Sequence, residues 1–227
     1  MEPTVLLQKV AIFRELEPPV LADLGARMRP RTVEPGTVIV SAEEAGDSMY
    51  VIASGKVKVV LYGQTGREII LSMLKAGDFF GEMSLFDRQP RSANVVAVAE
   101  TQLLTLDREA FHQHLLANPS TALAILAEMS RRLRHADEVI GNLALLDVYA
   151  RVARVIRELA LKQGEQVDGG ILIRERPTQQ EIAGLVGTSR ETVSRALSEF
   201  TRRGLLEVEG KQVLVRWSFL RELHEAA

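Results

Sequence analysis

The hydrophobic positions between Gln179 and Phe200 recur at intervals of three and four residues on either side of a single glycine. This spacing predicts two short amphipathic helices joined at Gly187, where a tight turn needs a residue that is free to take a positive φ. Ala183 is small enough to let the two helices cross closely. The positions that would form the buried seam between the helices are Ile182, Val186, Val193 and Ala196. The pattern is typical of a helix-turn-helix.

Local signals support both helices. Thr178 and Glu181 have the spacing of a capping box, and Ser189 is placed to cap the second helix. Four polar residues of the second helix share one exposed face: Arg190, Glu191, Ser194 and Arg195. Arginines that fork to guanine and a carboxylate that accepts from cytosine are suited to readout of the DNA major groove. The alternative is an ordinary helical hairpin with a solvated charged face.

The segment 205–215 alternates apolar and polar residues around Glu209-Gly210-Lys211, which predicts a β-hairpin. A helix-turn-helix followed directly by a small hairpin is a winged helix, so we interpret this region as a DNA-binding domain. Before it, residues 163–170 form a polar, glycine-containing segment that we interpret as a loop.

The sequence pattern differs from about Arg31 to Leu106, where short runs rich in β-forming residues alternate with glycine turns. The predicted strands are 37–40, 49–52, 57–61, 68–71, 93–98 and 102–106. Many short strands between glycine turns indicate an antiparallel barrel or roll. Residues 4–29 predict short helices broken at Pro18-Pro19. The fold class is therefore α+β.

A long helix is predicted from about Ser120 to Leu146, and Asp147 is expected to cap the next helix, over 148–162. Apolar residues alternate at spacings of three and four along the long helix, as in the a/d seam of a two-stranded coiled coil: Leu126, Met129, Leu133, Ala136, Ile140 and Leu143. Packing of this seam on its own domain is the alternative. We expect three parts, a roll domain (1–119), a long dimerisation helix with its hinge (120–146) and a winged helix-turn-helix domain (147–227).

The segment 81–93 has the composition of a phosphate-binding cassette. A short helical turn that opens at Gly81 and continues through Met83 and Ser84 would aim backbone N–H groups at one point. Arg91 can add a fork-shaped contact to a phosphate, with Ser92 supplying further donors. Glu82 can accept from a neighbouring sugar hydroxyl, so the set suits a ribose phosphate. A surface loop with a Glu–Arg ion pair is the alternative.

Composition and charge narrow the function classes. The first 150 residues carry 15 Lys/Arg and 19 Asp/Glu, and the remaining residues carry 13 and 11, so the DNA-binding part is only mildly basic. With zero cysteines, thiolate metal sites and cysteine-held iron–sulfur clusters are excluded, and the four histidines lie outside the roll, which argues against haem. No set of residues resembles a catalytic site, so we expect no enzyme. The chain has no apolar run of membrane-spanning length and no signal peptide, so we expect a cytoplasmic protein.

Gly81-Glu82 followed by Arg91-Ser92-Ala93 inside a glycine-punctuated roll resembles the cyclic nucleotide-binding domain. Together with the helix-turn-helix, the chain from about residue 10 to residue 216 resembles the CRP/FNR family of bacterial transcription regulators. The hinge segment 141–148 and the run 189–193 match the same family.

The resemblance implies roles for individual residues. Glu82 would hold the ribose 2′-hydroxyl, Arg91 and Ser92 would hold the cyclic phosphate, and Val59, Ser72 and Leu74 would line the nucleoside side. The implied readers of a TGTGA-like half-site are Arg190, Glu191 and Arg195. The implied contacts to DNA phosphates are Thr178, Gln180, Ser189, Thr192 and Lys211.

The resemblance also implies a homodimer that binds palindromic double-stranded DNA, contacts RNA polymerase and is gated by cyclic AMP. Where the cyclic-AMP receptors place adjacent hydroxyl residues against the adenine, this chain has Ala136 and Asp137. Asp137 offers only acceptors, which can accept from the amino group of adenine but match better the paired N–H donors of guanine. The alternative is that Asp137 pairs with Arg134 or with an arginine of the partner chain and never touches the ligand. Cyclic GMP, cyclic di-GMP and ligand-independent DNA binding therefore stay open as alternatives, whereas the reader helix speaks against a signalling adaptor that binds no DNA.

Overall fold

The structure is a computed structural model that describes residues 3–64 and 66–225. It divides into two compact units. One unit contains the residues up to Tyr62 together with Leu71–Ala136, and the other contains Gly63–Ile70 together with the residues from Asp137 onward.

The roll consists of two four-stranded sheets, with strand orders β1-β8-β3-β6 and β2-β7-β4-β5, and all of their strand residues except 68–70 of β5 belong to the first unit. The strands are β1 (Arg29–Val33), β2 (Val38–Val40), β3 (Ser48–Ser54), β4 (Lys56–Tyr62), β5 (Glu68–Lys75), β6 (Phe79–Phe80), β7 (Asn94–Ala97) and β8 (Thr101–Asp107). The pairs β1–β8, β3–β8, β3–β6, β2–β7 and β4–β7 are antiparallel. All six predicted strands exist, and the predicted antiparallel roll within an α+β fold is confirmed. β1 and β6 were not predicted.

Period-two alternation explains why these runs form strands, because every second side chain enters a buried cluster. In β8, Leu104 and Leu106 enter one cluster, which also contains Met49 and Phe111, while Leu103 enters a second cluster with Val57. The first cluster is closed by α1 (Pro3–Leu7) and α2 (Pro18–Arg27). The predicted short helices are present, and Pro18-Pro19 mark a helix boundary, because the two prolines occupy the first positions of α2, where the missing N–H groups cost nothing.

Three further helices belong to this part of the chain: α3 (Met83–Asp87), α4 (Arg108–Ala117) and α5 (Pro119–Leu145). α5 has 27 residues and begins and ends within one residue of its predicted bounds. Only Thr121 and Ile125 of α5 are buried. Met129 is partly buried against the first cluster, whereas Leu126, Leu133, Ile140 and Leu143 are between 50% and 64% exposed. Most of the predicted seam is therefore an uncovered apolar stripe in the single chain.

The second unit contains α6 (Val148–Gln163), β9 (Glu165–Val167), β10 (Gly170–Ile173), α7 (Gln179–Val186), α8 (Arg190–Arg202), β11 (Leu206–Glu209), β12 (Gln212–Arg216) and α9 (Trp217–Glu225). One core connects all of these elements except β9, and its fully buried members include Ile156, Ile182, Val193, Leu206 and Val215. The strands form a sheet in the order β11-β12-β10-β9.

The predicted loop at 163–170 was wrong, because β9 and β10 form an antiparallel hairpin that adds two strands to the wing. The β9 side chains are all exposed, so the segment lacks the apolar alternation that would have revealed a strand. Among the described helices, none combines the length and the apolarity needed to span a lipid bilayer.

Candidate functional site

The phosphate cassette forms where β6 ends and the chain turns into the single helical turn of α3. Gly81 has φ +82°, and Glu82 follows as the N-terminal cap residue of α3. Arg91 and Ser92 lie just before β7, which returns the chain to the sheet. The sequence thus brings an acid and an arginine to the same corner of the roll from two short segments.

Glu82 is buried in this corner, with 3% of its side chain exposed. Its Oε1 atom accepts a hydrogen bond from Nη1 of Arg132 at 3.1 Å, whereas its Oε2 atom is buried without a hydrogen-bond partner among the described residues. Burial raises the pKa of the Glu82 carboxyl, although the charge of Arg132, the backbone N–H of Glu82 and the charge of Arg91 oppose that shift. A buried acceptor without a hydrogen-bond partner costs free energy, so Oε2 marks a position that suits a hydrogen-bond donor of a ligand.

The Arg91 guanidinium lies in the same corner and is held by backbone carbonyls. Its Nη1 donates to the Gly81 carbonyl at 2.6 Å and its Nη2 to the Ser48 carbonyl at 2.7 Å, and the residue is 8% exposed. Gly46 packs against the guanidinium so closely that a Cβ at this position would overlap it. Because neutral carbonyls leave the guanidinium charge uncompensated, Arg91 is suited to receive an anion.

The other predicted ligand residues differ in how far they are exposed to solvent. Ser84 is buried in α3, while Val59, Ser72 and Leu74 are half-buried on β4 and β5. Met83 and Ser92 are exposed, and the Ser92 hydroxyl lies 3.8 Å from the Met83 sulfur. Ala136 and Asp137 are exposed on α5, and Asp137 makes no hydrogen bond or ion pair with the described residues. The single chain therefore assembles Gly81, Glu82 and Arg91, while Ala136 and Asp137 stay at the exposed surface of α5.

Arg132 is the site residue that the sequence analysis missed. Its Nη2 donates to the Phe79 carbonyl at 2.9 Å, its Nε to Glu128 at 3.1 Å, and its guanidinium carbon lies 4.6 Å from the centre of the Phe79 ring. The Glu128–Arg132 spacing was a visible signal of a helical ion pair. The contact with Glu82 crosses 50 positions of the sequence and gave no local signal.

Arg108 supports the cassette from the start of α4. Its Nη2 donates to the Gly46 carbonyl at 2.7 Å and its Nη1 to the Leu85 carbonyl at 3.0 Å. The same Leu85 carbonyl lies 3.2 Å from Nε2 of His112. These contacts tie α3 and the segment before β3 to α4. No group of three or more His, Cys, Asp or Glu side chains in the described part of the chain could hold a metal ion.

The helix-turn-helix has the caps that the sequence predicts. The Thr178–Glu181 capping box is complete, Gly187 takes the left-handed conformation at φ +71°, and the Ser189 hydroxyl accepts from the Thr192 N–H at 3.2 Å. The four predicted seam residues are at most 2% exposed. The local sequence therefore fixes how α8 leaves the turn.

The polar face of α8 is open to solvent. Arg190, Glu191 and Arg195 are exposed, whereas Ser194 is half-buried. Hydrogen bonds from the backbone N–H of Glu191 and from Ser189, together with the nearby arginines, lower the pKa of the Glu191 carboxyl. Glu191 is therefore an ionised acceptor close to two arginines, a combination of groups that suits contacts with base edges.

An open cleft of about 550 Å³ lies beside this face, between the start of α7 and the turn from β11 to β12. Its lining combines predicted DNA-contact residues with others: Arg176, Pro177, Thr178, Gln179, Gln180, Arg190 and Lys211. Three of the seven are cationic, so the cleft suits a phosphate backbone. Ser189 and Thr192 lie at the N-terminus of α8 nearby in sequence, where Thr192 is half-buried.

Arg176 was not predicted. Its Nη2 donates to the Gly210 carbonyl at 3.2 Å, its Nη1 to the Pro177 carbonyl at 3.1 Å, and its backbone N–H to the Lys211 carbonyl at 2.9 Å. The Nε atom of Arg176 is buried without a partner among the described residues. The side chain thus fastens the turn of the wing to the residues that precede α7.

Comparison with known proteins finds a matching protein family for a large part of each unit. Residues 30–118 match the cyclic nucleotide-binding domain, and residues 150–223 match the Crp-like helix-turn-helix domain. The first match contains the cassette with Glu82 and Arg91, and the second contains the exposed polar face of α8. Proteins of this type are regulators rather than enzymes.

Relatives match over most of the chain. A CRP-like cAMP-activated global transcriptional regulator of Mycobacterium tuberculosis is 36% identical over 92% of this chain and 94% of its own length. The cAMP-activated global transcriptional regulator CRP of Escherichia coli is 36% identical over 79% of this chain and 85% of its own length. The structure of the c-di-GMP responsive global regulator CLP of Xanthomonas campestris superposes with a TM-score of 0.77, at 26% identity over 88% of this chain and 99% of that chain. With a cyclic nucleotide-binding domain followed by a Crp-like DNA-binding domain, the chain belongs to the CRP/FNR family of transcription regulators.

Proposed function

We propose that this chain is a homodimeric transcription regulator that binds cyclic AMP and, in response, binds a palindromic DNA site with TGTGA-like arms. The observation that carries the proposal is the unpartnered Oε2 of Glu82, which lies buried in the same corner as the carbonyl-held guanidinium of Arg91. The named activity of the M. tuberculosis and E. coli relatives supports cyclic AMP as the effector.

The two side chains divide the ligand between them. Oε2 of Glu82 accepts from the ribose 2′-hydroxyl, which meets the buried acceptor. The Arg91 guanidinium has five N–H donors, and its two carbonyl contacts leave three for the cyclic phosphate. Ser92 adds a hydroxyl donor beside it, Val59, Ser72 and Leu74 line the nucleoside side, and the backbone of Gly81, Met83 and Ser84 frames the phosphate.

Recognition of DNA follows from the exposed face of α8. Arg190 and Arg195 fork to guanines and Glu191 accepts from a cytosine amino group, with Ser194 on the same face. Thr178, Gln180, Ser189, Thr192 and Lys211 contact phosphates along the adjoining cleft, which supports register rather than sequence choice. The protein acts in the cytoplasm, where it regulates transcription through contact with RNA polymerase.

The dimer follows from the apolar stripe of α5. Leu126, Leu133, Ile140 and Leu143 are large apolar side chains that are at least half exposed in the single chain. Their a/d spacing suits a second copy of the same helix, which would remove them from water. Two copies of α8 would then read successive major grooves, which explains the two-fold symmetry of the DNA site.

Calorimetry with cyclic AMP, cyclic GMP and cyclic di-GMP, followed by DNA-shift assays with each nucleotide, tests the proposal. We expect cyclic AMP to bind most tightly and to increase affinity for a TGTGA-like palindrome. Tighter binding of a guanine nucleotide would replace cyclic AMP as the effector, in line with the Xanthomonas neighbour. Specific DNA binding that no nucleotide changes would contradict gating.

A further inference from the structure

The residues that flank the α5 stripe carry an unusual charge pattern. If Leu126, Leu133 and Ile140 occupy a positions, the flanking g positions are Ile125, Arg132 and Val139, and the flanking e positions are Ser130, Asp137 and Ala144. Of these six positions, only 132 and 137 are charged, and their charges are opposite.

Their spacing matches the geometry of a parallel coiled coil. In such dimers, a g residue of one helix lies beside the e residue of the next heptad on the other helix, and opposite charges there form interhelical salt bridges. Arg132 is the g residue of one heptad, and Asp137 is the e residue of the next. In a two-fold dimer this pair occurs twice, so the register of the stripe itself brings the two charges together.

Both side chains are available for the pair. Arg132 uses three of its five N–H donors, on Glu82, Glu128 and the Phe79 carbonyl, and its side chain is 33% exposed. Asp137 is exposed and makes no hydrogen bond or ion pair within the described chain. Arg134, one helical turn before Asp137, is the charged neighbour that could pair with it locally, and these two side chains are not joined.

We propose that Arg132 of each subunit binds Asp137 of the partner subunit, and that Arg132 thereby joins the nucleotide site to the dimer interface. The proposal rests on the proposed dimer through α5. The same guanidinium contacts Glu82, whose second oxygen is reserved for the nucleotide. The partner's Asp137 adds a third carboxylate to the Glu82 and Glu128 contacts of Arg132, and so helps to hold the guanidinium in place when the ribose hydroxyl engages Glu82.

Two consequences follow for the effector response. Nucleotide binding and dimerisation promote each other, because each adds a partner to a network that is incomplete without it, and linkage makes the effect reciprocal. Asp137 acts on the nucleotide through Arg132 rather than by contact with the base, so it is a positioning residue and does not select between adenine and guanine.

Charge reversal at position 137 tests the pair in the full-length protein. Asp137→Lys places a cation beside the partner's Arg132, and we expect the dimer dissociation constant from sedimentation equilibrium to rise about two- to thirty-fold, the range for two exposed pairs. Glu138→Lys is the matched control, since it makes the same charge change one residue further on, at an f position that faces away from the partner. We expect it to leave dimerisation within about two-fold.

A compensating variant separates the pair from general charge effects. Arg132→Glu combined with Asp137→Lys restores opposite charges across the interface, so we expect dimerisation to recover. Cyclic AMP binding should stay weak, because the carboxylate introduced at position 132 would face Glu82.

The outcomes distinguish the pair from the dimer on which it rests. Equal dimerisation of Asp137→Lys and Glu138→Lys, or no recovery in the double variant, would overturn the pair. So would an Asp137→Ala variant with altered base preference and unchanged dimerisation. A wild-type chain that stays monomeric would overturn the proposed dimer as well, whereas a wild-type dimer insensitive to Asp137→Lys overturns the pair alone.

Discussion

Gly46→Ala should weaken cyclic nucleotide binding although it removes no group that touches the ligand. Gly46 is buried, and a Cβ at this position would overlap Nε and the guanidinium carbon of Arg91. Non-bonded heavy atoms settle about 3.5–4.0 Å apart, so the guanidinium must move by about 1 Å or more. The backbone of Gly46 does not have a positive φ, so alanine brings no backbone strain.

The size of the effect follows from the contacts of Arg91. A displaced guanidinium loses its hydrogen bonds to the Gly81 and Ser48 carbonyls and its alignment with the cyclic phosphate. A hydrogen bond to a charged group contributes about 1.5–3 kcal/mol, which corresponds to about a 10- to 150-fold loss of affinity. The free energy of unfolding should fall by only about 1–3 kcal/mol, because the crowded atoms belong to a long side chain that can move.

Calorimetry with cyclic AMP measures the affinity, and thermal melting reports whether the variant is folded. Gly63→Ala is the control, since a Cβ there would meet its nearest heavy atom at 3.7 Å, an ordinary contact. Competition by adenosine, which lacks the phosphate, should be unchanged in Gly46→Ala if only Arg91 has moved. A folded Gly46→Ala protein that binds cyclic AMP within two-fold of wild type would refute the assignment of Arg91 to the phosphate.

Three further outcomes test the DNA face, the stripe and the buried acid. Arg190→Ala should cost about 1–3 kcal/mol at the cognate site and relax selectivity at one base; an unchanged ratio of cognate to scrambled binding in a DNA-shift assay contradicts its role. Leu133→Glu should give monomers in sedimentation, whereas Leu116→Glu, at a position that is 85% exposed outside the stripe, should stay dimeric; a dimeric Leu133→Glu means that the stripe is not the interface. Burial raises the pKa of Glu82, so the ionised carboxylate costs more free energy in the folded chain than in the unfolded chain, and Glu82→Gln should raise the free energy of unfolding at neutral pH while weakening nucleotide binding. That gain should vanish in denaturant titrations as the pH falls through the ordinary range of a glutamate, and a gain that persists in acid would argue against the buried charge.

The helix-turn-helix was predictable almost to the residue because its determinants are local. A capping box spans four residues, and the turn at Gly187 depends on one conformation of one residue. The strands of the roll were also visible, because alternation is a property of each strand alone. The order of the strands in the sheets was not predictable from the sequence, because the pairing of Arg29–Val33 with Thr101–Asp107 joins segments about 70 positions apart. In addition, β1 is exposed at four of its five residues, so it lacks the apolar alternation of a strand.

In the candidate site, too, the residues that lie close together in the sequence were predictable and the distant ones were not. Glu82 and Arg91 lie nine positions apart in one cassette, and their types alone indicated a ribose phosphate. Arg132 could not be assigned to the site from the sequence, because the spacing of residues along a helix does not tell which corner of a sheet a side chain reaches. Arg108 and Arg176 bind backbone carbonyls of distant turns. Because every residue has a backbone carbonyl, the sequence does not show which residues accept these hydrogen bonds.

The hold of Arg176 on the wing has a consequence for the thermodynamics of DNA binding. The turn that carries Lys211 is fastened through the Gly210 and Lys211 carbonyls before any DNA is present. Ordering a free loop on binding costs conformational entropy for every backbone residue that becomes fixed, and that loss is largely absent here. Association should therefore require little reorganisation of the wing, and differences in affinity between DNA sites should lie in the dissociation rate.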